Sequence, residues 1–123
     1  MANTNEVQNE EQKRASFALN KISSLNKITS EIANFFVGLP TMLLTNGLGQ
    51  TLAFLLSKKG KKEECKIAFD VIREYLNGDK DEMNFLKGFN SMPQKKYLEM
   101  QKEALAVANW LKRYARAFEE KGT

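Results

Sequence analysis

The sequence predicts an all-α chain, one compact bundle of about six helices with long first and last members. Three observations carry this. Only two prolines and seven glycines interrupt 123 residues, and long stretches of Ala, Leu, Lys, Glu and Gln lie between them; these residues lose little on entering a helix. Apolar residues recur at steps of three and four along most of the chain. Strand-like alternation of useful length occurs nowhere. The length fits one domain able to bury about two thirds of its unfolded surface without disulfides or metals. A 42% apolar and 10% aromatic content suits a globular chain.

Residues 1–6 are polar and read as a disordered N-terminus, leaving 7–120 as one helical domain. From about Val7, Ala15, Ala18, Ile22, Leu25, Thr29, Ile32 and Phe36 form one apolar stripe, so a first helix is expected to run to Val37 and stop at Gly38. Pro40 suits the first turn of a short second helix reaching Thr45. Asn46-Gly47 is a structural turn, and a third helix follows with Leu48, Leu52 and Leu55 in line. The whole stretch 32–57 carries no charge, which raises the question of a membrane span of about 20 residues. Gly38, Pro40, Asn46, Gly47, Gly49 and Gln50 cut it into shorter pieces, so it reads as a folded-back core with no membrane partner.

A fourth helix, Lys62 to Leu76, has Cys65, Ala68, Phe69, Ile72, Tyr75 and Leu76 inward and stops at Asn77-Gly78. Asp79 and Glu82 have capping-box spacing for a short fifth helix that ends at Gly88. Ser91 and Gln94 repeat that spacing before the last helix, about Met92 to Glu120, whose apolar face steps through Tyr97, Met100, Ala104, Val107, Leu111, Tyr114 and Phe118.

Catalytic chemistry is thin. The chain has no histidine, which removes the commonest general base and the commonest zinc ligand. One cysteine, Cys65, allows no internal disulfide and suits a reducing compartment. With no basic or apolar leader at the N-terminus, the expected address is the cytoplasm. No glycine-rich phosphate loop is present. Asp79, Asp81 and Glu82 cluster where helix capping puts acids. No cofactor, no metal and no enzymatic activity are expected.

Basic chemistry is present. Net charge is +4, and residues 1–12 hold Glu6, Glu10 and Glu11 with no base, so the rest is more basic than the total. A basic body suits an anionic partner such as nucleic acid. The Lys58-Lys59-Gly60-Lys61-Lys62 loop is either a set of point charges for phosphates or a solvated loop. On the last helix Lys95, Lys102, Asn109, Arg113 and Arg116 form one stripe with Lys112 beside it. That stripe is either the wet side of an amphipathic helix or a surface for RNA or an acidic partner. Trp110, flanked by Val107 and Leu111, reads as packing.

The succession Leu39-Pro40, Asn46-Gly47-Leu48-Gly49-Gln50-Thr51-Leu52-Ala53-Phe54, Ser57-Lys58 and Trp110-Leu111-Lys112-Arg113-Tyr114-Ala115-Arg116-Ala117 resembles the small helical subunit of the type III-B CRISPR Cmr effector complex. The resemblance covers nearly the whole chain except the acidic first dozen residues. It implies a compact all-α protein without catalysis of its own, serving antiviral defence. Copies of it would stack into a minor filament beside backbone and large subunits, holding guide RNA and target RNA through basic surfaces while a neighbouring subunit cuts. Lys58, Lys59, Lys112, Arg113 and Arg116 are the basic positions it implicates. A helical adaptor that binds only protein is the alternative.

Overall fold

The computed structural model describes residues 9–120, and five helices with no strand make up these residues. They are α1 (Glu10–Ser23), α2 (Ser30–Lys58), α3 (Glu63–Tyr75), α4 (Glu82–Ser91) and α5 (Gln94–Ala117). The all-helical reading holds. The expected N-terminal tail, residues 1–6, lies outside the described residues.

The last helix is long as expected, with 24 residues, but the first has only 14 and α2 is the longest with 29. Instead of one helix from Val7 to Val37, the chain makes α1, a short linker and the start of α2. Asn9 opens α1 with a capping box: its side chain accepts the Gln12 N–H at 2.7 Å, and the Gln12 side chain accepts the Asn9 N–H at 2.9 Å. Ser23 and Ser24 donate their hydroxyls back to the carbonyls of Asn20 and Lys21 at the other end. Thr29 then caps α2 by accepting the Ile32 N–H at 3.2 Å. The apolar stripe runs unbroken across this gap because linker residue Ile28 is itself buried.

Helix α2 is the axis of the fold. Gly38 does not end a helix and Pro40 does not start one, against expectation. Both lie inside α2, with Pro40 buried. The break falls at Gly47, whose φ of 84° and ψ of 164° bend the helix. Only glycine takes that conformation without strain. By length and composition α2 is apolar enough to cross a bilayer. In this structure Phe36, Leu39, Leu43, Leu48, Leu52 and Leu55 are fully enclosed by other helices, each side chain stabilising the fold by about 1.5–3 kcal/mol.

Helices α2 and α5 run antiparallel, Arg116 meeting Asn34 near one end and Tyr97 meeting Gly49 near the other. Val107, Ala108, Leu111 and Ala115 of α5 are fully buried. α3 closes the core with Phe69 and Ile72, and α4 contributes Phe85, which packs edge-on against Phe69 and Phe89.

Two caps differ from expectation. Asp81, not Asp79, is the N-cap of α4, accepting the Asn84 N–H at 3.0 Å; Asp79 accepts the Asp81 N–H instead. Ser91 is the last residue of α4, past the expected stop at Gly88, and α5 begins after Pro93 with no side-chain cap.

Candidate nucleic-acid interface

Two basic regions are the candidates for an anionic partner. Lys61 and Lys62 of the α2–α3 loop are exposed, and Lys58 is half-buried at the end of α2. Lys59 stands apart from them. Its ammonium bonds Glu82 of α4 and Asp70 of α3, the latter at 3.3 Å, and lies 5.2 Å from the centre of the Phe69 ring. Those carboxylates raise its pKa against the opposing effect of desolvation. Lys66 also pairs with Asp70, at 3.1 Å. Lys59 therefore ties three helices together, and its charge is already answered inside the protein.

The α5 stripe divides in the same manner. Arg116 bonds Glu119 at 2.6 Å and Asn34 at 2.9 Å, bracing the end of α5 against the start of α2. The Glu120 N–H donates to the Ile28 carbonyl at 3.0 Å and fixes the same corner. Lys95, Lys102 and Arg113 are exposed and Lys112 half-buried. Among the described residues, the side chains of Lys112 and Arg113 have no hydrogen-bond or ion-pair partner within the protein.

The sequence reading missed a network behind this face. Arg14 of α1 donates to both carboxylate oxygens of Glu103 on α5, at 3.0 and 2.6 Å, and to Glu11 at 2.7 Å. Tyr75 of α3 donates its hydroxyl to Glu103 at 2.9 Å. The Trp110 indole N–H donates to Glu11 at 2.9 Å, and its ring stacks on Tyr114 with centroids 5.6 Å apart. Trp110 packs against the core as expected, and in addition its exposed edge is anchored by a carboxylate. The Arg14 hydrogen bonds hold Glu103 and Glu11 below the usual carboxylate range. Burial, reinforced by Glu103, pushes Tyr75 up to about 12. Apart from Glu11 and Arg14, three residues apart on α1, the hydrogen-bonded partners that meet here lie 28 to 99 positions apart in sequence, so no local spacing signals them.

A third polar arrangement sits at the α2 bend. The Leu48 N–H donates to the Gln101 side-chain oxygen at 3.0 Å and the Gly49 N–H to the Tyr97 hydroxyl at 3.1 Å. Thr51, fully buried, donates its hydroxyl to the Met42 carbonyl at 3.2 Å. In a straight helix Thr51 and Met42 would stand about 13 Å apart along the axis. The expected turn at Asn46-Gly47 is therefore real, and α5 caps it from outside. Pro40 plays no part in it.

No three Cys, Asp or Glu side chains come together in a way that suits a metal among the described residues. Cys65 is buried in the core, and desolvation raises its pKa.

A family model for "CRISPR-associated protein (Cas_Cmr5)" matches residues 10–118. The fold is similar to the crystal structure of a CRISPR-associated Cmr5 family protein from Thermus thermophilus. The TM-score is 0.74 and the identity 26%, with 92% of this chain and 100% of the other covered.

Proposed function

The chain belongs to the CRISPR-associated Cmr5 family, and from that premise we propose that it is the non-catalytic small subunit of a cytoplasmic type III-B Cmr ribonucleoprotein effector. In this reading it stacks with copies of itself beside the backbone and large subunits and steadies guide RNA paired with target RNA. The observation that supports RNA contact most directly is the pair Lys112 and Arg113, whose cationic groups are not neutralised within the described chain. Unpaired surface cations on a rigid helix bind phosphates without reading sequence. Exposed Lys61, Lys62 and Lys102 add to the same field.

Filter binding of single-stranded and guide-paired RNA, with and without the partner subunits, tests this. The expected result is binding that strengthens in the assembled complex and weakens steeply with added salt. No RNA dependence at low salt in the complex would leave the protein-only adaptor as the correct reading.

A further inference from the structure

Ala106, Asn109, Trp110 and Arg113 are spaced three, four and seven residues apart, so they share one face of α5. Glu11 of α1 closes the side of that face, and together the five residues line a hollow of about 390 Å³. Ala106, half-buried, contributes only a methyl group to the lining of the hollow. Its walls are chemically mixed. Arg113 presents an unpaired guanidinium, and Asn109 an exposed amide. Glu11 presents a carboxylate that Arg14 and the indole N–H hold in place while using only part of its accepting capacity. Trp110 offers an aromatic wall fixed by that bond and by stacking on Tyr114.

We propose that this hollow receives the guanine base of an unpaired RNA nucleotide, an inference that rests on the RNA-contact reading above. A phosphate alone suits Arg113 but is repelled by Glu11, so the pair selects a ligand carrying acceptors and donors together. Guanine presents O6 and N7 as adjacent acceptors for a guanidinium. Its N1–H and N2–H are adjacent donors for a carboxylate. Adenine turns its amino group toward the position where guanine offers O6, setting donor against donor. Uracil offers the carboxylate a single ring N–H where guanine offers two adjacent donors. The indole supplies the stacking surface that any base uses.

Trp110 is the only tryptophan in the chain, so its fluorescence reports on the hollow alone. The full-length chain is titrated at low salt with end-labelled oligouridylate carrying one central guanosine, one central adenosine or neither, following RNA anisotropy and Trp110 emission. The guanosine oligonucleotide is expected to bind about tenfold tighter than the other two and to change Trp110 emission most. Glu11→Gln keeps an acceptor for the indole N–H yet removes the charge, and Ala106→Leu fills the floor. Both are expected to abolish the guanosine preference, so that the guanosine and adenosine oligonucleotides bind alike. Equal binding of all three oligonucleotides overturns the base pocket and leaves RNA contact standing. Failure of the isolated chain to bind any of them also overturns the pocket, and the assay on the assembled complex then decides the RNA reading separately.

Discussion

The hydroxyl of Tyr97 accepts the backbone N–H of Gly49 at 3.1 Å, so the first turns of α5 cap a helix in another part of the chain. Gln101, one turn on, does the same for Leu48. The bend at Gly47 is stable because the amides it releases find side-chain acceptors on α5.

Removing those acceptors has a predictable effect. Gln101→Ala leaves the N–H of fully buried Leu48 without a partner and is expected to cost about 1–3 kcal/mol. Tyr97→Phe removes one bond to a partly accessible amide and is expected to cost about 1 kcal/mol. Gly47→Val forces a branched residue to φ 84° and is expected to cost about 1–3 kcal/mol. Urea denaturation of each variant checks the order. A neutral Gly47→Val would mean that α2 is straight in solution.

The Arg14–Glu103 pair predicts a pH profile. Glu103 titrates below its ordinary 4.5 in the folded state, chiefly through Arg14. The stability it contributes is complete above about pH 4.5 and drains away as acid reaches the lower folded value. Tyr75 is raised from 10 to about 12, so its contribution is complete below pH 10 and is lost as pH climbs toward 12. Arg14→Ala is expected to cost on the order of 1–3 kcal/mol and to flatten the acid limb, while the alkaline limb persists or steepens because Arg14 opposes the rise at Tyr75. Thermal melts of the two proteins across pH measure this, and parallel profiles would contradict it.

At the end of α3, Asn77 and not Gly78 takes the left-handed conformation, with φ of 57°. The Gly78 N–H reaches the Arg73 carbonyl at 2.8 Å and the Asn77 N–H the Glu74 carbonyl at 3.1 Å, the paired bonds of a Schellman ending. Gly78 is needed for space, since a Cβ there would stand 2.3 Å from the Phe85 ring. Gly78→Ala is therefore expected to destabilise by about 1–3 kcal/mol, whereas Asn77→Gly is expected to be tolerated. A neutral Gly78→Ala would show that the Phe85 ring gives way and does not set the constraint.

These cases show what the sequence made legible. The Asn46-Gly47 break was readable because a glycine that must take positive φ sits in a local signal, and helix type followed from apolar spacing. The Ser24–Thr29 gap was hidden because Leu25 and Ile28 pack on the core from a linker as they would from a helix. Pro40 suggested a helix start, since a proline usually costs an interior helix a hydrogen bond, yet the packing of α2 accommodates it. Lys59 looked like one of four equivalent lysines because its partners, Asp70 and Glu82, arrive from other helices. Arg14–Glu103 and Glu11–Trp110 escaped for the same reason.

The lysines of the loop are accordingly expected to separate by experiment. Lys59→Ala removes the shared partner of Asp70 and Glu82 and is expected to lower stability by about 1–2 kcal/mol with little effect on RNA. Lys61→Glu together with Lys62→Glu alters exposed side chains and is expected to weaken RNA binding at unchanged melting temperature. An RNA defect confined to Lys59→Ala would reverse this assignment.

The claim that the α5 face holds RNA is tested most directly by the salt dependence of RNA affinity in the assembled complex, comparing the native chain with Lys112→Glu/Arg113→Glu. Both side chains lack internal ion-pair partners among the described residues, so helicity and melting temperature are expected to stay the same. Affinity is expected to fall at every salt concentration, and the slope of log affinity against log salt to shallow by roughly one for each phosphate no longer neutralised. An unchanged slope and affinity in a correctly assembled complex would contradict the account.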